Sequence, residues 1–324
     1  MMMSRWIVSL LPYLRQRSDL ADQSERYWRK PRFANYFEFA GAWLIFAILS
    51  RLPVDVSSNF LGFVGRTIGP RLRLSNRVRD NIRLVWPDRS DTEIETILRG
   101  ACNHFPRVTN EYWSIQKIQR DQDTRLKISG LEHVDSLKQS GKSGILFAGH
   151  IANWEMVTLA AIRLDLPVTV VYRPFNNPLI DAYVRDWQSS TGVELIRKGR
   201  KGARRLTDVL KGGGNTIMLV DVRMNDGVQV PFLGIDAMTP SAPAVLAMKY
   251  DALLVPVQVV RTGSSHFHVT FEEPRAPQNT GDRNADITAT MTWVNDRLSD
   301  WITQHPEQWM WFHRRWGKNP TRPD

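Results

Sequence analysis

The stretch GILFAGHIANWE, residues 144–155, decides how the rest of this sequence is interpreted. Its apolar beginning, Gly144 to Ala148, is too short for a comfortable helix and is bounded by glycines, which predicts a buried strand. From Met156 to Leu164 the length and composition are typical of a helix. His150 is therefore predicted to lie in the turn between a strand and a helix.

His150 and Glu155 are the reactive side chains of this stretch. On one continuous helix, residues five apart are rotated by about 500°, so the two side chains would point in different directions. At a junction, the Glu155 carboxylate could instead reach one imidazole nitrogen while the other faces a cleft. Such an imidazole accepts a proton from a hydroxyl group, and the nearby helix N-terminus favours negative charge on a carbonyl under attack. Taken alone, the pair is also compatible with two structural residues.

Composition limits the class of protein. The 324 residues suffice for one large domain with an appended segment, which we prefer to two modest domains. A mean hydropathy of −0.33 excludes a polytopic membrane protein. The net charge of +10 predicts a negatively charged partner, either nucleic acid, an anionic membrane, or an acidic protein or lipid, and the 12 tryptophans favour the membrane. A single cysteine, Cys102, excludes an intrachain disulfide.

The N-terminal part contains one candidate for membrane contact and no cleavable signal. The apolar run 39–49 has about half of the roughly 20 residues that a membrane span needs, and basic residues flank it on both sides. We therefore predict that residues 1–53 associate with a membrane through an interfacial helix, with a buried core helix as the alternative. Downstream, Val54 to Arg83 is predicted as helix broken at Gly69-Pro70, and Ser90 and Glu93 have the spacing of a capping box.

From Leu126 onward, short apolar runs alternate with amphipathic segments, which predicts an α/β fold. The predicted strands are 145–148, 168–172, 193–196, 216–220, 254–260 and 266–271. The predicted helices between and after them are 181–189, 203–211, 242–250 and 286–304.

Two polar residues follow predicted strands directly. Arg173 follows the strand 168–172, and Asp221 follows the strand 216–220. Ligands of open α/β sheets bind at the carboxyl ends of strands, so Arg173 is placed to meet an anion. A surface salt bridge for Arg173 and a helix-capping role for Asp221 are the alternatives. The densest basic cluster begins at Arg197 and Lys198 and could by itself be a nucleic-acid patch. No recognisable nucleic-acid module accompanies it, and a phospholipid, a phosphorylated sugar or an acidic carrier protein explains the charge equally well.

The stretch HIANWE resembles the H-x-x-x-x-D/E motif of glycerolipid-type acyltransferases. With the preceding glycine it is similar to the form found in the late acyltransferases of lipid A biosynthesis, the lauroyl and myristoyl transferases, which carry Gly where this chain has Ala152. The resemblance extends to four further places: NIRLVWPD at 81–88, the Arg-Pro at 173–174, Asp221 followed by PFLG at 231–234, and PEQWMWFHRRW at 306–316. The chain departs from the family's usual Asp-Gln or Asp-His pair at Val222.

The resemblance implies a central mixed sheet flanked by helices over residues 54–324, and transfer of an acyl chain from acyl-acyl carrier protein to a hydroxyl of a lipid A precursor. The enzyme would act at the cytoplasmic face of the inner membrane, without cofactor, metal or nucleic acid. His150 would be the general base and Glu155 would orient it. The expected substrate-binding residues are Arg173, Asp221, Asn153, Arg197 and Lys198. Acylation of another membrane lysophospholipid or glycolipid, or a non-catalytic membrane-binding role, remains as an alternative.

Overall fold

The computed structural model describes residues 31–190 and 193–317. Most of the predicted membrane-association segment, residues 1–30, lies outside that range. Side chains 187–190 are also left undescribed.

Within the described residues, four helices of 12 residues or more precede the sheet. They are α1 (Phe33–Leu49), α2 (Val54–Ile68), α3 (Leu74–Val85) and the long α4 (Asp91–Arg120). The predicted break at Gly69-Pro70 is confirmed, because a single 3-10 turn separates α2 from α3. Among the described residues, no helix combines the length and apolar character needed to cross a membrane.

Helix α4 begins and packs for identifiable reasons. The predicted capping box is confirmed, with Ser90 Oγ accepting from the Glu93 amide (3.3 Å) and the Glu93 carboxylate accepting from the Ser90 amide (2.8 Å). Helix α2 lies close against α4 at Gly65, where an added Cβ would collide with the carbonyl oxygen of Cys102. Helix α4 therefore packs directly against helix α2.

The predicted α/β fold with a mixed central sheet is confirmed. The strands of this sheet are β1 (Leu126–Ser129), β2 (Gly144–Ala148), β3 (Val168–Tyr172), β4 (Glu194–Arg197), β5 (Asn215–Leu219), β8 (Leu253–Gly263) and β9 (His266–Phe271), and β6 (Val228–Phe232) and β7 (Ile235–Thr239) form a separate hairpin. In the described part of the chain the seven strands are ordered β1-β9-β8-β2-β5-β3-β4, and only the β8–β9 pair is antiparallel.

Seven further helices of the described residues connect and flank the strands. They are α5 (Gln122–Arg125), α6 (Leu131–Ser140), α7 (Glu155–Arg163), α8 (Pro178–Ser190), α9 (Arg200–Lys211), α10 (Ala242–Tyr250) and α11 (Arg283–Gln304). Every residue of β2 is buried, as predicted, and Phe147 packs edge-on against Trp293 and stacks with Trp301 of α11.

The sequence did not predict β1 or the hairpin formed by β6 (Val228–Phe232) and β7 (Ile235–Thr239). The first is only four residues long. In the hairpin, Pro231 weakens the strand pattern, and the turn depends on positive φ angles at Leu233 (52°) and Gly234 (73°).

The position of the site follows from strand order. Strands β2 and β5 are parallel neighbours, with Ala148 paired to Leu219, so the segments that follow them leave the sheet side by side. Strands β3 and β4 end at the same edge, with Tyr172 paired to Arg197. The carboxyl ends of β2, β5, β3 and β4 therefore place four residues along the same end of the sheet: His150, Asp221, Arg173 and Lys198.

Candidate active site

His150 lies in the turn between β2 and α7, as the sequence predicts, and its carboxylate partner is Asp221. The distance from His150 Nδ1 to Asp221 Oδ1 is 2.7 Å. The backbone amide of His150 donates to Asp221 Oδ2 over the same distance. The imidazole is 15% exposed and the carboxylate is fully buried. Both the ring and the backbone of His150 are thus fixed by one carboxylate.

Asp221 is held in its ionised form. Burial alone would raise the pKa of this carboxyl, but the charge of His150 and the hydrogen bonds from His150 and Trp309 outweigh it and hold the pKa well below its ordinary value. The indole Nε1 of Trp309 donates to Asp221 Oδ2 over 2.8 Å. An ionised Asp221 accepts the Nδ1–H of His150, which leaves Nε2 as the nitrogen that is able to take a proton.

These contacts revise two predicted roles. The sequence assigned the orienting carboxylate to Glu155 and a substrate contact to Asp221, whereas the structure places Asp221 on Nδ1 of His150. The reason is topological, because β5 lies next to β2 although about 70 residues separate their ends. The local spacing of residues in the sequence does not indicate that β5 lies next to β2.

Glu155 begins α7, in the predicted first turn, and its carboxylate accepts a hydrogen bond from the Tyr112 hydroxyl (2.7 Å). The same hydroxyl accepts from Trp154 Nε1 (2.8 Å). The Trp154 ring meets the His150 ring edge-on, with a centroid distance of 4.7 Å. Glu155 and Tyr112 thus fix the aromatic wall beside the imidazole.

Asn153, expected at the substrate, is fully buried and bonded to protein groups at both ends of its amide. Its Nδ2 donates to Glu111 (3.0 Å), and its Oδ1 accepts from the amide of Glu155. Glu111 in turn forms a buried ion pair with Arg261 and accepts from the hydroxyls of Ser58 and Ser265. Asn153 therefore ties the turn to a buried charge pair.

The turn also contains a backbone conformation that favours glycine. Ala152 has φ of 48°, in the left-handed region, and is completely buried. Its carbonyl accepts from His104 Nε2 (2.9 Å), and its amide donates to the carbonyl of Gln308 (3.0 Å). Burial, together with the charge of Arg261, lowers the pKa of His104 to about 3, so this imidazole is neutral.

The C-terminal segment crosses the turn from the other side. Met310 donates its amide to the carbonyl of His150 (3.1 Å), and Ile151 forms an antiparallel bridge with Trp309. Ring centroids of His313 and His150 lie 5.5 Å apart. The aromatic and basic segment 306–316 is therefore part of the site.

The basic residues lie where the sequence predicts. Arg173 is exposed directly after β3, and Lys198 is exposed after β4, with its amide donating to the carbonyl of Tyr172. Arg197 ends β4 and is paired in register with Tyr172. Arg205, in the same cluster, forms an ion pair with Glu194. Arg173, Arg197 and Lys198 lie at the carboxyl ends of β3 and β4, which are separated from β2 by strand β5.

Sequence reasoning missed the roles of Trp309, His313, His104, Glu111 and Tyr112. For the first two there was a signal, since an aromatic and basic segment that returns to a strand edge is a candidate for a site. The other three lie on one helix, α4, and nothing in their spacing distinguishes them from core residues.

Comparison with known proteins agrees with this arrangement. The family model for bacterial lipid A biosynthesis acyltransferases matches residues 25–318. The chain belongs to this family. The match covers α1 to α11, the whole sheet and the C-terminal segment that crosses the His150 turn.

Curated relatives of this acyltransferase are distant in sequence but similar in length. The lipid A biosynthesis lauroyltransferase of Escherichia coli K12 is 26% identical over 310 residues, which cover 91% of this chain and 93% of that protein. The lipid A biosynthesis palmitoleoyltransferase of the same strain is 23% identical over 311 residues, again 91% and 93%. A phosphatidylinositol mannoside acyltransferase of Mycolicibacterium smegmatis is 23% identical over 290 residues, 86% and 90%. The family therefore comprises enzymes that acylate lipids.

Proposed function

We propose that this family member transfers a fatty acyl chain from acyl-acyl carrier protein to a hydroxyl of a lipid A precursor of the Kdo-lipid IVA type. The observation that supports it best is the His150–Asp221 pair at the strand edge, since a buried ionised carboxylate on Nδ1 prepares Nε2 as a general base. Two of the relatives named above are lipid A acyltransferases.

The reaction needs only one proton carrier. His150 Nε2 takes the proton of the acceptor hydroxyl, and the resulting alkoxide attacks the thioester carbonyl without an acyl-enzyme intermediate. The C–S bond then breaks, the electrons pass to sulfur, and the imidazolium returns its proton to the thiolate. Asp221 remains ionised throughout and stabilises the imidazolium.

The positive edge of the sheet supplies the affinity for acidic substrates. Arg173, Arg197 and Lys198 lie at the ends of the adjacent strands β3 and β4, at the same end of the sheet as His150, where a phosphate group of the acceptor or the acidic surface of a carrier protein would meet them. This expectation keeps the binding roles that the sequence assigned to these three residues. Asn153 acts instead through the position of the turn.

A membrane surface is the proposed location, on the cytoplasmic face of the inner membrane. Helices α1 and α2 expose large apolar side chains, among them Phe37, Ile45, Phe60 and Phe63, beside the exposed guanidinium groups of Arg51, Arg66, Arg71 and Arg73. Apolar side chains next to basic ones are the pattern of a helix lying in an anionic interface. Replacing Phe60 and Phe63 by serine should weaken binding to anionic vesicles, whereas Leu131→Ser, at an exposed site on α6, should not.

Another glycolipid acceptor is the second candidate, because one relative is named for phosphatidylinositol mannoside. The chemistry at His150 would be the same, so only the acceptor distinguishes the two. A non-catalytic lipid-binding protein is the third reading, and it predicts vesicle binding without any turnover.

The test is a product assay by mass spectrometry. Purified protein is incubated with acyl-carrier-protein thioesters of several chain lengths and either a tetra-acylated lipid A precursor or a phosphatidylinositol mannoside. We expect the lipid A precursor to gain one acyl chain. His150→Ala should lower the rate by about 10²–10⁴, while His133→Ala on α6 should leave it unchanged. A gain only on the mannoside would change the acceptor, and no gain on either would contradict the proposal.

A further inference from the structure

His313 lies on a fixed loop beside the general base. Its carbonyl accepts from Asn81 Nδ2 (2.9 Å), which also donates to the carbonyl of Trp311 (2.8 Å). The carbonyl of Phe312 accepts from Arg77 (3.2 Å). Helix α3 thus holds the backbone on both sides of His313, and the amide of Met310 bonds the same segment to the carbonyl of His150.

One nitrogen of the His313 imidazole, Nε2, is buried and has no hydrogen-bond partner within residues 31–190 and 193–317. Buried polar atoms are normally paired, so an unpaired one beside a reactive histidine points to a substrate contact. The ring planes of His313 and His150 are inclined by 63°, with centroids 5.5 Å apart. Burial and the charge of the nearby His150 lower the pKa of His313, against the opposing effect of Asp221, and so disfavour the protonated ring.

We propose that His313 donates a hydrogen bond from Nε2 to the carbonyl oxygen of the acyl donor as that oxygen becomes negatively charged. This inference rests on the acyl transfer proposed above. As the acceptor oxygen attacks, the carbonyl π electrons move onto oxygen and the Nε2–H of His313 stabilises them. The electrons return when the C–S bond breaks, so His313 ends the step with the proton it began with.

The distances suit this role. Each imidazole nitrogen lies about 1 Å from its ring centroid, and a hydrogen bond adds about 2.8 Å. In a tetrahedral intermediate, the attacking oxygen and the oxyanion are only about 2.3 Å apart, so a pair of rings 5.5 Å apart is able to reach both oxygens. Two different imidazoles then serve the two oxygens that change charge.

A second general base is the less suitable role for His313. A general base is stabilised by a carboxylate that balances the imidazolium, and the buried carboxylate of Asp221 bonds His150. The charges of His150, Arg173 and Arg77 disfavour a protonated His313 ring, and the charge of Asp221 favours it. Because Asp221 is bonded to His150, the hydrogen bond that His313 has left to make is the one from Nε2.

Two variants separate hydrogen bonding from packing. His313→Phe fills the ring volume without a donor, and we expect kcat to fall by about 10²–10³ with little change in KM. His313→Gln places an amide N–H near the position of Nε2 and should recover activity to within about tenfold of wild type. His133→Phe is the matched control on the surface. Activity of His313→Phe within threefold of wild type, or equal losses in both variants, would overturn the inference.

A second measurement does not depend on turnover. The chain has seven histidines, so 15N-labelled imidazoles give a spectrum that substitutions are able to assign. The probe is a ketone analogue of an acyl-pantetheine in which CH₂ replaces sulfur. We expect its carbonyl to shift Nε2 of His313, while buried His104 stays unchanged as an internal reference. An unshifted His313 with bound probe would contradict the inference. Absence of acyl transfer in the wild-type protein would contradict the proposed function instead.

Discussion

The turn that carries His150 is held in different ways on its two sides. On the sheet side, Asp221 bonds both the imidazole and the backbone amide of His150, and Trp309 completes the carboxylate's contacts. On the helix side, α4 supplies His104 and Glu111, which bond Ala152 and Asn153. The first side touches the reactive ring, whereas the second touches only the turn around it.

The comparison separates a contact that acts on the reacting ring through its charge from contacts that fix the position of the turn. Asp221 is an anion in contact with a ring that becomes cationic during the proposed reaction, so its charge acts directly on the barrier. The charge of Glu111 is balanced by the charge of Arg261, and the imidazole of His104 is uncharged. We therefore expect changes on the sheet side to affect turnover and changes on the helix side to affect stability first.

The largest expected effect is that of Asp221→Asn. The amide oxygen is able to keep the bonds from Trp309 and the His150 amide, but its NH₂ group would then face Nδ1 of His150 and place the ring proton on Nε2. A protonated Nε2 cannot act as a base, so kcat should fall by about 10²–10⁴. Steady-state kinetics and thermal unfolding should be measured together.

The variant Glu155→Gln tests whether Glu155 or Asp221 is the carboxylate that orients His150. The glutamine keeps an oxygen that accepts from Tyr112, so we expect a smaller loss than for Asp221→Asn. If Glu155→Gln were inactive and Asp221→Asn were active, the assignment made from the sequence would be right and the role of Asp221 derived from the structure would be refuted.

The second prediction addresses the helix side through Glu111→Gln. The substitution leaves the guanidinium of Arg261, only 8% exposed, without its counter-ion. Breaking one partner of a buried pair costs about 3–5 kcal/mol, so the urea midpoint should fall strongly. Glu95→Gln removes a comparable pair with Arg79 that is 22% and 36% exposed, and there we expect at most about 1 kcal/mol. Equal losses of stability in Glu111→Gln and Glu95→Gln would contradict the expected difference between a buried and a partly exposed ion pair.

The sequence predicted the local structure of the turn better than the long-range contacts that hold it. The strand, turn and helix over 144–163 are local patterns, so their periodicity and glycines were sufficient, and Asp221 was found as a residue that follows a strand. The pairing of Asp221 with His150 depends on β5 lying next to β2, and Glu111 meets Arg261 across 150 residues of chain. Contacts at such separations are set by strand order and helix packing, which local patterns do not specify.

The third prediction is a pH dependence of stability that originates at His104. Its pKa is about 3 in the folded protein and about 6.5 in an unfolded chain, so the unfolded state binds more protons between these values. Stability should therefore fall as the pH decreases from 6.5 towards 3, by up to about 1.4 kcal/mol per pH unit. His104→Gln keeps a donor for the Ala152 carbonyl but does not titrate.

Urea unfolding of both proteins at several pH values tests this assignment. All other groups are common to both proteins, so their contributions cancel in the difference between the two curves. We expect the wild-type protein to lose stability more steeply than His104→Gln below pH 6.5. Parallel curves would show that His104 is protonated in the folded state or does not titrate in this range.

The smallest expected effect is that of Ala152→Gly, at the centre of the turn that both sides hold. Glycine relieves a left-handed conformation that costs about 1–2 kcal/mol for alanine. It also loses a buried methyl group, about 0.8 kcal/mol, and adds about 0.5–1 kcal/mol of backbone entropy cost. These contributions nearly cancel, so the free energy of unfolding should change by less than about 1 kcal/mol. Ala148→Gly, equally buried but in strand β2, has no strain to relieve and should be destabilised by more. If Ala152→Gly lost as much stability as Ala148→Gly, the turn would store no strain at Ala152, and alanine would fit there as well as glycine does.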